Sequence, residues 1–243
     1  MYLDPLDIAC YIYCPILQQK GKKDKIATPL TFVEENIRLA FIEAERNACI
    51  KDSIVAPRKL LAAWEKIWWP AITQNKKISI KEAHNISLKA SCKFADYCKY
   101  DISDWMFPTA GVQAESEVKI RGSVLHATAD IVKVDLNKNN EINTVLVNFN
   151  RKGLSLRQAA TDPAIKATAY AFYSGRGEII THISIDLDET KNNINVITSI
   201  FRPEAMEGIR KMLYYVEYGI NAKLDYINSY MCKECKVCQD FIL

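Results

Sequence analysis

The chain has 243 residues, 49% of them hydrophobic and 25% charged, with a formal net charge of +3. That composition supports a folded domain with a substantial core and excludes a disordered chain. No apolar run approaches the roughly 20 residues that span a bilayer. Met1-Tyr2-Leu3-Asp4-Pro5 also lacks the basic and apolar regions of a signal peptide. The expected setting is the cytoplasm, of a cell or of a virus-infected cell, with no membrane partner.

Residues 1–20 read as a short helix and a turn near Pro15 and Gly21. Thr31 to Arg46 has the spacing of an amphipathic helix, with Phe32, Ile37, Phe41 and Ile42 on its apolar side and Glu34, Glu35 and Arg38 elsewhere. Arg58 to Trp69 repeats the pattern with Leu60, Leu61, Trp64, Ile67 and Trp68, and Pro70 is expected to end it. Ser79 to Tyr97 is predicted helical, with Ser79 as its cap. Near Pro108 the period changes. Val112–Ile120 and Val124–Val134 alternate around a tight Arg121-Gly122 turn, and Asn143–Phe149 follows as a third strand after a polar turn at Asn137–Asn140. Asp162 as N-cap and Pro163 at the first helical position predict a helix to Tyr173, closed by Gly175 and Gly177. Ile179–Leu187 and Ile194–Phe201 read as strands, and Pro203–Tyr230 as a long last helix. The order predicts a single α/β domain over 1–243, with a mixed sheet flanked by helices. It divides into a helical subregion at 21–107, an α/β core at 108–202, and a helix with a cysteine segment at 203–243.

Eight cysteines occur, and three of them, Cys232, Cys235 and Cys238, crowd into seven residues with two C-x2-C spacings. Such spacing wraps a chain around one metal centre, and thiolates suit zinc or an iron–sulphur cluster. A four-thiolate site needs one more ligand. Cys14, followed by Pro15, is the first candidate, ahead of Cys10, then Cys92 or Cys98. Cys49 reads as a buried small hydrophobe. Lys20–Lys25 and Arg151, Lys152 and Arg157 form short basic groups, which are either solvated surface or phosphate contacts.

The hairpin from Glu117 to Val132 resembles one in the Cas4/RecB-like branch of the PD-(D/E)xK nuclease superfamily. Asp130 stands where that family has a metal-binding aspartate before an apolar pair. The next family strand carries an acidic residue, one further residue and a lysine. Here Val145-Leu146-Val147-Asn148-Phe149-Asn150 places Asn148 and Asn150 at those positions, with Lys152 two residues beyond. A following helix in the family carries Gln-x3-Tyr. Lys166-Ala167-Thr168-Ala169-Tyr170 supplies the tyrosine only. An early-helix histidine is missing, since none precedes His84. Glu43 or Glu45 could substitute for it on the early helix, though both positions read as solvent-facing.

The resemblance implies a restriction-endonuclease-like core and a [4Fe–4S] cluster on Cys14, Cys232, Cys235 and Cys238, with zinc as the other occupant. It also implies a Mg²⁺ or Mn²⁺ site at Asp130 if the protein hydrolyses phosphodiesters. Asn150 can neither take a proton nor supply a charge, and Asn148 is a neutral ligand. The expectation is therefore a degenerate nuclease fold that binds DNA or another nucleic acid, or joins protein partners in a DNA-processing complex. An active exonuclease would need Asp130, Glu115 or Glu117, and Lys152 to converge, with His126 as a further neighbour. A purely structural interaction module is the third reading.

Overall fold

The structure, a computed structural model, describes residues 1–13, 29–50, 55–75, 77–99, 109–136, 142–150, 156–175 and 177–222. Within them the elements run β1 (Tyr2–Leu3), α1 (Pro5–Tyr13), α2 (Phe32–Ile50), α3 (Pro57–Gln74), α4 (Ile80–Lys99), β2 (Thr109–Ile120), β3 (Ser123–Leu136) and β4 (Ile142–Asn150). They continue with α5 (Leu156–Thr161), α6 (Pro163–Phe172), β5 (Ile179–Asp186), β6 (Asn195–Phe201) and α7 (Pro203–Asn221).

The helix starts follow side-chain chemistry. Asp4 and Asp7 cap α1 reciprocally, each carboxylate accepting the other's backbone N–H at 3.0 and 2.8 Å. Thr31 and Glu34 do the same for α2, a T-x-x-E capping box at 3.2 and 2.9 Å. Asp162 caps α6 as the sequence predicts, accepting from the N–H groups of Ala164 and Ile165. Ser79 accepts the N–H of Glu82 at the start of α4.

The strands form one mixed six-stranded sheet in the order β1-β3-β4-β5-β6, with β2 on the other edge of β3. β1 with β3 and β4 with β5 are parallel; the remaining pairs are antiparallel. Each face carries its own core. On one face Leu125, Ala127, Ala129, Leu146, Ile180 and Phe201 pack with α1, α5, α6 and α7. On the other, Ile131, Val145, Val147, Phe149, Ile183 and Ile185 meet α2, α3 and α4. The second core is aromatic. Phe41 stacks on Phe149 at 4.9 Å and meets Phe94 edge-on at 5.2 Å, and Trp64 stacks on Trp68 at 4.7 Å. This is a mixed α/β fold with a central sheet, flanking helices and an N-terminal helical region.

Four local expectations are corrected. Helix α3 does not stop at Pro70 but runs to Gln74, because Trp64, Trp68 and Ile72 are buried together and hold the helix past the missing N–H. Strand β1 and helix α5 have no counterpart in the pattern reading, being too short to show a period. Helix α2 continues beyond Arg46 to Ile50. At the Arg121-Gly122 turn the left-handed backbone falls on Arg121, at φ 50°, and not on the glycine. A side chain there costs on the order of 1 kcal/mol relative to glycine. The last helix is described to Asn221; its expected extension to Tyr230 lies outside the described residues.

Helices α1 and α7 touch where Tyr11 lies on Gly219. A Cβ at that position would meet the Tyr11 hydroxyl well inside van der Waals contact, and the ring is buried. Gly219→Ala is therefore expected to destabilise the protein by about 1–3 kcal/mol. Gly208→Ala, in the same helix with open space around its Cα, should be neutral or stabilising by up to about 1 kcal/mol. Urea unfolding of the two variants checks the contrast.

Candidate functional site

The site grows from a division in the sheet. One edge of β3 carries β2 along its whole length. Its other edge is shared: β4 pairs with Ile131–Leu136, and β1 pairs with Val124–Leu125. Between these two pairings β3 has left β4. The face of β3 also changes there, since Ala129 belongs to one core and Ile131 to the other. Gln113 and Asp130 lie opposite one another between the pairs Val112–Ile131 and Ala114–Ala129, and Gln113 takes a left-handed φ of 50°.

A backbone leaving its partner strands N–H and C=O groups that need new partners. Side chains supply them. The Phe149 N–H donates to Asp130 Oδ2 at 2.8 Å, and the Asn148 amide donates to the Thr128 carbonyl at 3.2 Å. Helix α2 closes the fork from above. Arg38 donates through Nε and Nη2 to Asp130 Oδ1 at 2.9 and 2.6 Å, and through Nη1 to Glu35 at 2.6 Å. Two turns on, Arg46 donates to the Gln113 side chain at 2.8 Å. Burial alone would lower the Arg38 pKa, but the hydrogen bond and charge of Asp130, with Glu35 behind, raise it.

Both oxygens of Asp130 are thus engaged, one by a guanidinium and one by a backbone donor. The residues do not fit a divalent ion. Asn148 and Asn150 add neutral amides, and Asn150 donates to the Ser184 hydroxyl. Among the described residues no group of three His, Cys, Asp or Glu side chains is placed to hold a metal. Glu115 is exposed and meets His126 at 3.4 Å, not Asp130. Glu117 is exposed too, in register with His126.

Glu45 is not solvent-facing. It is buried, receiving Lys133 Nζ at 2.9 Å, the Tyr97 hydroxyl at 2.6 Å and the Thr109 hydroxyl. It ties α2 to α4, β2 and β3, a structural role that uses up its acceptor capacity. Glu43 stays near the surface with Arg46 and Lys66. Tyr170 sits on α6 beside Tyr214 of α7; burial first, then the neighbouring phenol, raises its pKa.

Of the cysteines, Cys10 is buried within α1, and Cys92 is exposed; Cys49 is exposed as well, near the end of α2, and not buried as its sequence reading expects. Burial and the charge of Glu45 push the Cys98 thiol up to about 11, so it is held protonated and is a poor ligand. Cys14, Cys232, Cys235, Cys238, Arg151, Lys152 and the basic run at 20–25 lie outside the described residues, while Arg157 falls in α5. The end of α1 that leads into Cys14 does pack against α7, through Tyr11 and Gly219.

Sequence reasoning missed Arg38, Lys93 and Lys133. Lys133 carried a signal: a lysine on the inward face of a buried strand calls for a buried carboxylate. Lys93 is fully buried and donates to the carbonyls of Asp188, Lys191 and Asn193 at 2.8, 2.7 and 3.2 Å, closing the β5–β6 turn against α4. A cavity of about 360 Å³ beside it, between α2 and α4, is lined by Val33, Ile37, Ile86, Lys89 and Glu189. Its polar groups already serve the scaffold, Glu189 accepting from the Thr31 hydroxyl.

Among the described residues, four buried side-chain atoms have no hydrogen-bond partner: Asn148 Oδ1, Asn150 Oδ1, His182 Nδ1 and Ser199 Oγ. All lie on β4, β5 and β6, on the face carrying Leu146, Ile180 and Phe201. Burial brings His182 down to about 4.

No family model matches this chain, and no curated protein matches it. A solved structure described as "Crystal structure of SSO0001" aligns with 94% of this chain and 94% of its own at 12% identity, with a TM-score of 0.30. A superposition that loose carries no argument about fold or function. Among the described residues, no helix is long and apolar enough to cross a membrane.

Two outcomes follow for stability. A carboxylate kept for a metal usually strains the apo fold, and its removal stabilises. Asp130→Ala should instead destabilise by about 2–4 kcal/mol, since it orphans Arg38 and the Phe149 N–H. Urea unfolding with and without Mn²⁺ measures this. For His182 the folded pKa is depressed, so the unfolded chain binds the proton first as pH falls. Stability is then full above pH ~6.5 and declines by roughly 3 kcal/mol towards pH ~4. His182→Gln should flatten that part of the profile, read from urea midpoints across the pH range.

Proposed function

We propose that this chain is a restriction-endonuclease-like domain of the Cas4/RecB kind whose hydrolytic centre is degenerate. Its role is to bind nucleic acid or to serve as a subunit of a DNA-processing complex. The observation that carries this reading is the state of Asp130. The carboxylate expected to hold a metal is neutralised by Arg38 and bonded to the backbone of β4. The two positions that would complete a catalytic set are amides, one donating to a carbonyl and one to a hydroxyl. Such a fork keeps the architecture that positions a nuclease site while lacking an ion-binding carboxylate pair and a general base.

A [4Fe–4S] cluster on Cys14, Cys232, Cys235 and Cys238, with zinc as the other occupant, belongs to the same proposal. The packing of α1 on α7 supports it, because Cys14 follows α1 directly and Cys232, Cys235 and Cys238 follow the end of α7 at Asn221 by 11, 14 and 17 residues. Thiolate donors would bind either centre and would join the two ends of the chain.

The test uses anaerobically purified full-length chain with single- and double-stranded DNA. Expected are bound iron and sulphide, DNA binding that weakens steeply with salt, and uncut DNA in Mg²⁺ or Mn²⁺. Cleavage that disappears in Asp130→Ala would overturn the degenerate reading. Failure to bind any nucleic acid at low salt would leave the interaction module in its place.

A further inference from the structure

Helix α7 turns Leu213 and Val216 into the core, while Tyr215 and Tyr218 on its outer side remain 59% and 54% exposed. Tyr214, half-buried beside them, is flanked by two guanidiniums. The Arg121 Cζ lies 5.3 Å and the Arg210 Cζ 5.5 Å from its ring centroid. Arg210 is paired with Glu207 at 2.8 and 2.9 Å, and Lys211 lies 3.8 Å from the same carboxylate. One carboxylate therefore serves two cations. Arg121 has no ion pair with any described residue.

Arg121 carries a second mark. It holds the left-handed backbone of the β2–β3 turn although Gly122 stands beside it. A glycine at 121 would relieve that conformation. The arginine is held there in spite of it, with its guanidinium over Tyr214. Unpaired positive charge, three clustered tyrosines and a solvent-facing helix together match one chemistry. Successive bases stack on exposed aromatic rings while guanidiniums meet the phosphates and add cation–π attraction. A duplex hides its base faces, so such rings engage a single strand.

We propose that the outer face of α7, with Arg121 at the adjoining hairpin tip, is a stacking platform for single-stranded nucleic acid. Tyr215 and Tyr218 supply the stacking surface. Arg121 supplies the phosphate contact and is positioned by Tyr214. This assignment rests on the nucleic-acid reading of the fold and adds to it a strand type and a surface remote from Asp130.

Fluorescence anisotropy on the full chain tests it, with a labelled oligothymidine strand of about 20 nucleotides and a matched duplex. The Tyr215→Ala/Tyr218→Ala double variant should weaken single-strand binding about tenfold or more and keep the salt slope. Arg121→Gln should lower the slope of log affinity against log salt by about 1. Lys81→Gln, exposed on α4 across the sheet, should change neither, and urea midpoints confirm that all variants are folded. Wild-type binding that persists undiminished in the tyrosine and Arg121 variants overturns the platform and assigns the stripe to a protein partner or to residues 223–243. The nucleic-acid reading then still stands. Absence of wild-type binding to either DNA overturns both.

Discussion

The carboxylate of Asp130 closes the point where β3 leaves β4, and much of the architecture depends on that closure. A strand that parts from its neighbour exposes a ladder of backbone groups, each costing about 1–3 kcal/mol if buried without a partner. Asp130 takes the first of them, the Phe149 N–H, and Asn148 takes a carbonyl on the departing strand. The departure also switches the faces of β3: Leu125, Ala127 and Ala129 serve the core under α6 and α7, while beyond Asp130 Ile131 enters the aromatic core under α2 to α4 and Val132 takes the other face.

That closure requires a cation. A carboxylate bonded to one backbone N–H and enclosed by helix α2 would be costly to hold charged. Arg38 offsets the charge from within the chain, and Glu35 fixes the arginine from its outer edge. In a metal-dependent hydrolase the same electrostatic need is met by an ion that also polarises substrate. An arginine meets the need without supplying an open coordination position. Neutral amides stand at 148 and 150, bonded to the Thr128 carbonyl and the Ser184 hydroxyl. The side chains present at 130, 148 and 150 are all bonded within the fold.

Much of the scaffold was legible because its causes are local. Thr31-x-x-Glu34 and Asp162-Pro163 announce helix starts through hydrogen bonds within one turn. The alternation of β2 and β3 follows from burial on one face. The misses have non-local causes. Pro70 reads as a stop, yet the helix continues on the strength of tryptophans packed against α4 and the sheet. Glu45 reads as solvent-facing because its partner Lys133 is 88 residues away. Alternation read through Asp130 assigns His126 and Asp130 a common site, but His126 meets Glu115, and nothing in a period-two pattern marks where the faces switch. Arg38 was hidden for the same reason: its meaning depends on a carboxylate 92 residues further on. At the candidate site, Asp130 and Asn148 were found as positions, while their partners had to come from the fold.

Helix α7 joins these threads. Its inner side is anchored by apolar packing and by Glu217, buried and accepting from the Ser123 hydroxyl and the Asn221 amide. Ser123 follows the Arg121-Gly122 turn, so the same helix that buries Glu217 also sets the height of the hairpin tip and the reach of Arg121. Gly219 permits α1 to approach on a third side. A helix constrained by a hairpin, by α1 and by the core has little freedom to rotate, and its outer residues keep a fixed spacing. Rigidity of that kind fixes the backbone, so only the side-chain rotamers of the outer residues would remain to be ordered by a ligand. The positive backbone angle at Arg121 is then understandable as a consequence of geometry: with the turn held by Glu217 and Ser123, residue 121 is the position from which a guanidinium reaches the Tyr214 ring.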